Sequence, residues 1–99
     1  MKFVIHARYV DDQERLARFR AAHRAYAKAQ LEAGKLLLAG PMTDGSGALF
    51  IYEGEAQEDI VALLAADPFS TSGSFASVDI RPWTLLGINH ERLQAPPGA

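Results

Sequence analysis

Among the 99 residues of this chain, three histidines (His6, His23 and His90) and an aspartate placed directly before a proline (Asp67) bear most closely on proton-transfer chemistry. An imidazole titrates near neutral pH. A carboxylate bonded to one ring nitrogen fixes the tautomer and leaves the other nitrogen to take or give a proton. His23 falls on one helical stripe with Leu16, Phe19 and Tyr26, so its ring faces the sheet or the sheet's rim. That placement by itself also suits a half-buried core histidine. Asp67 ends a helical pattern, where the negative end of the macrodipole disfavours a carboxylate by about 0.3–1 kcal/mol, and some partner should compensate. One is the next helical turn, because Asp67-Pro68 fits the N-cap and N1 pair. The other is His23. The two are compatible, since a carboxylate has two oxygens.

Arg20 lies one turn before His23 on a neighbouring stripe. It is either solvated, paired with an acid such as Glu14, or placed to hold an anionic or phenolate oxygen. Gly40-Pro41 closes an apolar strand, where glycine either makes a turn or lets a ligand approach the backbone. His6, beside Val4 and Arg8, reads as an edge or interface residue, and His90 as a solvated tail residue.

Other chemistries are disfavoured. There is no cysteine, hence no thiolate nucleophile or disulfide. The histidines lack the spacing of a metal site, so no metal and no cofactor is expected. Gly45-Ser46-Gly47 opens no helix and is not a phosphate loop. Ser46, Ser70 and Ser74 have no nucleophile-elbow setting. A net charge of −2 argues against nucleic acid. The longest apolar runs, residues 36–39 and 60–66, are far below the ~20 residues of a membrane span. Residues 1–6 lack a signal-peptide core, and a cytoplasmic protein is expected.

The elements that must position these side chains follow from hydrophobic period and punctuation. Residues 3–9 are rich in aromatic and β-branched types and predict a strand with Phe3, Ile5, Ala7 and Tyr9 on one face. Asp11 to Glu14 has capping-box spacing, residues 15–33 are good helix formers, and Gly34 is the expected left-handed stop. Residues 35–41 and 48–52 predict a hairpin around Thr43-Asp44-Gly45-Ser46-Gly47. A second helix over 56–66 carries Ile60, Leu63, Leu64 and Asp67 on one side and ends at Pro68. One further turn follows, and then a strand over 75–85, in which Pro82 implies an edge or a bulge. On this reading Phe75 and Trp83 share a face.

The order β-α-β-β-α-β predicts an α+β, ferredoxin-like fold: a four-stranded antiparallel sheet with two helices on one face. Residues 1–86 form the domain and 87–99 a loosely held C-terminal tail. The hairpin strands are apolar on both sides, with Leu36 and Leu38 opposing Leu37 and Ala39. Two helices cover one sheet face only, so the bare face is expected to pack against a second subunit in a homodimer.

Four pieces in order, Arg20-Ala21-Ala22-His23, Ala39-Gly40-Pro41, Ala66-Asp67-Pro68-Phe69 and Gly73, resemble the YciI-like (YCII-related) proteins over residues 2–85. The resemblance implies a dimeric α+β barrel with His23 and Asp67 as an active-site pair and Arg20 as the accompanying cation. Gly40, Pro41 and Phe69, which lie in these same pieces, are expected with Arg20 to bind the substrate. One branch of the family resembles aromatic-ring dehydrochlorinases. The chain departs from the pattern in a shortened hairpin loop and in the tail after Leu85, so substrate identity does not carry over. Two functions stand at this point. One is a cofactor-independent, lyase- or isomerase-like enzyme in which a His-Asp pair moves a proton on a small aromatic or enolisable substrate. The other is a non-catalytic small-ligand-binding or interaction module with a structural His-Asp pair.

Overall fold

The computed structural model describes residues 1–96. The elements are β1 (Lys2–Tyr9), α1 (Gln13–Glu32), β2 (Leu36–Pro41), β3 (Gly47–Glu53), α2 (Gln57–Ala65), a single-turn α3 (Pro68–Thr71) and β4 (Phe75–Trp83). The strands form one antiparallel sheet in the order β2-β3-β1-β4, the ferredoxin-like arrangement expected. Pro82 lies on β4, which is an edge strand and can spare its N–H.

The inner face carries Phe3, Ile5 and Ala7 of β1 against Ala48, Phe50 and Tyr52 of β3. Leu36, Ile60 and Leu64 join them in the core. Each such large side chain contributes about 1.5–3 kcal/mol by leaving water. Helix α1 begins one residue later than the sequence pattern suggests. Asp12, not Asp11, is the N-cap, its Oδ1 accepting from the Arg15 N–H at 3.0 Å. Arg15 therefore occupies the position where a capping box needs an acid. Gly34 ends the helix at φ +75°.

Two bulges redistribute side chains between the faces. Leu36 pairs with Tyr52 and Leu38 with Ile51, so Leu37 is an extra residue. Leu36 and Ala39 consequently share the inner face, and Leu38 turns outward, unlike simple alternation. In β4, Ser77 pairs with Arg8 but Phe75 pairs with Tyr9, leaving Ala76 unpaired. That extra residue turns Phe75 inward while Trp83, opposite Lys2, stays on the outer face. The expectation that these two aromatics share a face is thereby corrected.

The outer face presents Val4, His6, Leu38, Leu49, Ile51 and Trp83 among the charges of Lys2, Arg8, Asp79 and Arg81. Leu38, Leu49 and Trp83 are each 38% exposed. The segment after β4 returns to this face, and Leu85, Ile88 and Leu93 together with Leu38, Ile51 and Trp83 line a cavity of about 540 Å³. Residues 97–99, the end of the expected tail, lie outside the described residues. Among the described residues no helix is long and apolar enough to cross a membrane.

Candidate active site

His23 and Asp67 are 44 residues apart in sequence and meet on the inner face, Nδ1 to Oδ1, at 2.7 Å. The meeting follows from local rules at both ends. On α1, the spacing that buries Leu16 also buries His23. At the far end, α2 stops before Pro68 and Asp67 caps α3 with extended backbone angles, its Oδ1 accepting from the Phe69 N–H at 2.9 Å. The Tyr26 hydroxyl donates to the Leu63 carbonyl at 2.6 Å and ties α1 to the end of α2, fixing the height at which Asp67 arrives.

One carboxylate oxygen serves both partners. Oδ1, rather than two separate oxygens, receives the imidazole and the main-chain N–H. An oxygen that accepts from an amide is an acceptor toward the ring as well, so Nδ1 donates and the free base nitrogen of neutral His23 is Nε2. Nε2 forms no hydrogen bond to a described residue. Since no buried side-chain polar atom lacks a partner among the described residues, solvent reaches it. The pair is otherwise enclosed, with His23 8% and Asp67 1% exposed.

Aromatic rings hold the imidazole. Phe69 stacks on it at 4.1 Å with the planes 1° apart. Phe50 and Phe75 meet it edge-on at 6.1 and 6.0 Å. Phe69 thus acts twice, its N–H anchoring Asp67 and its ring fixing the plane of His23. The second ring of the cluster is Tyr9, edge-on to Phe69 at 5.5 Å and stacked on Phe75 at 6.1 Å. Its hydroxyl is pushed above the ordinary tyrosine value by burial; Arg20 pulls it down, Asp67 pushes it up and Arg24 pulls it down. Both arginines therefore lie within electrostatic reach of that hydroxyl.

Of the residues singled out by sequence, the structure brings His23, Asp67 and Phe69 into contact. Arg20 is half-buried on α1, and neither it nor Arg24 has an acidic partner among the ion pairs of the described residues, so the pairing of Arg20 with Glu14 does not form. Pro41 pairs with Ala48 on the inner face, one step from the Ala39–Phe50 pair. Gly40 faces outward opposite Leu49, and a Cβ added there would meet nothing within 4 Å. His6 is opposite Asp79 on the outer face, away from the pair. Phe50 and Phe75, which meet the imidazole, and Tyr9, which packs on Phe69 and Phe75, are residues that sequence reasoning did not assign to the site. Strand alternation had put Tyr9 on the inner face, but only the bulge at Ala76 brings Phe75 there.

Two cavities, of about 540 and 440 Å³, are not lined by His23 or Asp67. They sit by Trp83 and Leu85, the larger on the outer face and the smaller near Pro82. These cavities and the His23–Asp67 pair therefore lie in different places. Acid–base chemistry needs a titrating group with a free atom, which only the inner site combines with an orienting carboxylate. Among the described residues no three His, Asp or Glu side chains gather closely enough to hold a metal ion.

No curated protein matches the chain by sequence. Solved structures do match. The 5-chloro-2-hydroxyhydroquinone dehydrochlorinase TftG of Burkholderia phenoliruptrix AC1100, solved in complex with 2,5-dihydroxybenzoquinone, superposes with a TM-score of 0.76 at 24% identity. The match covers 85% of this chain and 94% of that one. The Arabidopsis thaliana protein At3g17210 gives a TM-score of 0.50 at 15% identity, covering 89% of this chain and 97% of that one. These likenesses establish the fold. The family model described as a YCII-related domain matches residues 1–84, nearly the full length of the chain, which therefore belongs to the YCII-related family.

Proposed function

We propose that the protein is a cofactor-independent enzyme in which His23 Nε2 moves a proton on a small hydroxylated aromatic or enolisable substrate. The observation that carries this reading is the 2.7 Å Nδ1–Oδ1 contact, with Nε2 unbonded to any described residue and reached by solvent. Asp67 orients the ring and stabilises the imidazolium that forms, as a buried carboxylate does for a general base. Arg20 holds the substrate oxygen on which negative charge gathers. Phe69 supplies an apolar wall beside the imidazole, and Pro41 ends β2 on the same sheet face. The likeness in fold to TftG, which was solved with 2,5-dihydroxybenzoquinone, supports a planar oxygenated ring as the substrate type. The apolar outer face supports a homodimer, with Leu49 and Trp83 in the interface.

The test is chloride release from 5-chloro-2-hydroxyhydroquinone, with binding of 2,5-dihydroxybenzoquinone measured in parallel. His23→Gln should lower turnover by at least about 100-fold with its circular dichroism unchanged. Undiminished turnover in that variant refutes the reading. A second reading, a binding module with a structural His-Asp pair, is favoured by the placement of both these cavities away from His23. It requires that His23→Gln lose stability and that neither compound bind in a His23-dependent way.

A further inference from the structure

We propose that the Tyr9 hydroxyl is an oxyanion-binding group of this site, acting beside Arg20 and Arg24 on the substrate oxygen that becomes negative when His23 takes the proton. The inference rests on the proton-transfer reading above and extends it to residues which that reading does not use.

The geometry has three parts. First, Tyr9 and His23 flank the same two rings. Phe69 is stacked on the imidazole at 4.1 Å and meets Tyr9 edge-on at 5.5 Å, and Phe75 lies 6.0 Å from the imidazole and 6.1 Å from Tyr9. Tyr9 and His23 thus belong to one aromatic cluster, joined through Phe69 and Phe75. Second, the Tyr9 hydroxyl bonds to no described residue and is not a buried orphan, so it keeps a free donor that meets water. A phenol that served packing alone would need no hydroxyl, and Phe at this position would stack equally well. Third, Arg20 and Arg24 are one helical turn apart on α1, both within electrostatic reach of that hydroxyl and both without an acidic partner among the described residues. Two guanidiniums within electrostatic reach of a phenol hydroxyl that meets water, neither paired with an acid among the described residues, supply the charge and the donor that an anionic oxygen needs.

The proton balance is simple. The substrate's C–H or O–H proton goes to Nε2, the released electron pair delocalises onto the ring oxygen, and Tyr9 O–H donates to that oxygen without itself ionising. Return of the proton from Nε2 to carbon discharges the oxyanion by tautomerisation; in the alternative the electron pair expels a leaving anion and Nε2 releases its proton to the solvent that reaches it.

The test uses 4-nitrophenol, whose phenolate and phenol absorb differently, and 4-nitroanisole as its uncharged counterpart, each titrated against the full chain. The wild type should bind the phenolate in preference to the neutral compound. Tyr9→Phe should lower phenolate affinity about tenfold or more, the worth of one hydrogen bond to a charged group, and leave 4-nitroanisole affinity and thermal stability unchanged. Arg24→Gln should reduce phenolate binding in the same direction, and more so at low salt. A Tyr9→Phe protein that keeps the full phenolate preference overturns the inference. In that event loss of turnover in His23→Gln would still uphold the proton-transfer reading. Conversely, Tyr9-dependent phenolate binding alongside a fully active His23→Gln protein would sink the reaction and leave the anion site.

Discussion

Replacing Asp67 by Asn and by Ala separates two interactions that share one atom. Oδ1 accepts from His23 Nδ1 at 2.7 Å and from the Phe69 N–H at 2.9 Å, in a residue that is 1% exposed. Asn is as good an N-cap as Asp, so Asp67→Asn keeps the bond to Phe69 and loses only the charge on the imidazole contact. A hydrogen bond to a charged group contributes about 1.5–3 kcal/mol against about 0.5–1.5 for a neutral one, so the expected loss is about 1–2 kcal/mol. Asp67→Ala removes the cap as well, worth about 1 kcal/mol, and leaves Nδ1 and the Phe69 N–H without an acceptor. The total should reach about 3–5 kcal/mol, the usual result of truncating one partner of a buried pair. Because both bonds end on the same oxygen, the two losses need not add. Urea unfolding at neutral pH measures this through the midpoint, with the slope unchanged if the denatured state is unaffected. In a domain of this size each kcal/mol also moves Tm by about 4–8 °C. Equal stabilities for the Asn and Ala variants would show that the cap contributes nothing. A wild-type-like Asp67→Ala protein would refute the claim that Oδ1 organises the site.

Three further outcomes are expected. The ammonium groups of Met1 and Lys2, 2.7 and 2.9 Å from the Glu53 carboxylate, hold it below the usual glutamate range. A carboxyl whose folded value is depressed stabilises the fold above its unfolded value and loses that contribution as pH falls through the folded one. Glu53→Gln should therefore flatten the stability profile below about pH 4.3, and an unchanged acid limb in urea midpoints would contradict this. A Cβ on Gly47 would collide with the Ala7 carbonyl across the β1–β3 ladder, so Gly47→Ala should lose at least about 2 kcal/mol; a neutral urea midpoint would disprove it. Leu49→Arg puts a charge in the middle of the apolar outer face and should convert the proposed dimer to monomer in sedimentation; a wild-type chain that sediments as a monomer, or a variant of unaltered mass, would refute an interface on this face.

What was legible in the chain was whatever depends on near neighbours. The helix over Gln13–Glu32, its stop at Gly34 and the Asp67-Pro68 start of α3 are set by period, caps and φ restrictions within a few residues. The strand order followed because β-α-β-β-α-β has few ways to bury its apolar faces. His23 and Asp67 could be named as partners, since each lay on the buried stripe of its own element. Where sequence reading stopped, a single inserted residue decided the outcome. The bulge at Ala76 sends Phe75 to the imidazole and Trp83 to the opposite face, and the one at Leu37 moves Leu38 outward. In a strand of period two, one extra residue inverts every side chain beyond it, and no local preference marks where that residue falls.

By itself, then, the sequence determined the elements, their order and the two residues able to share a proton. Only the tertiary structure decided that one oxygen of Asp67 serves both His23 and Phe69, that Nε2 is left to solvent, and that Tyr9 packs on the two rings that also hold the imidazole. The physical reason is range. Backbone preferences act over a turn or two of chain, whereas a hydrogen bond between residues 44 positions apart exists only once packing has fixed both ends to within a fraction of an ångström.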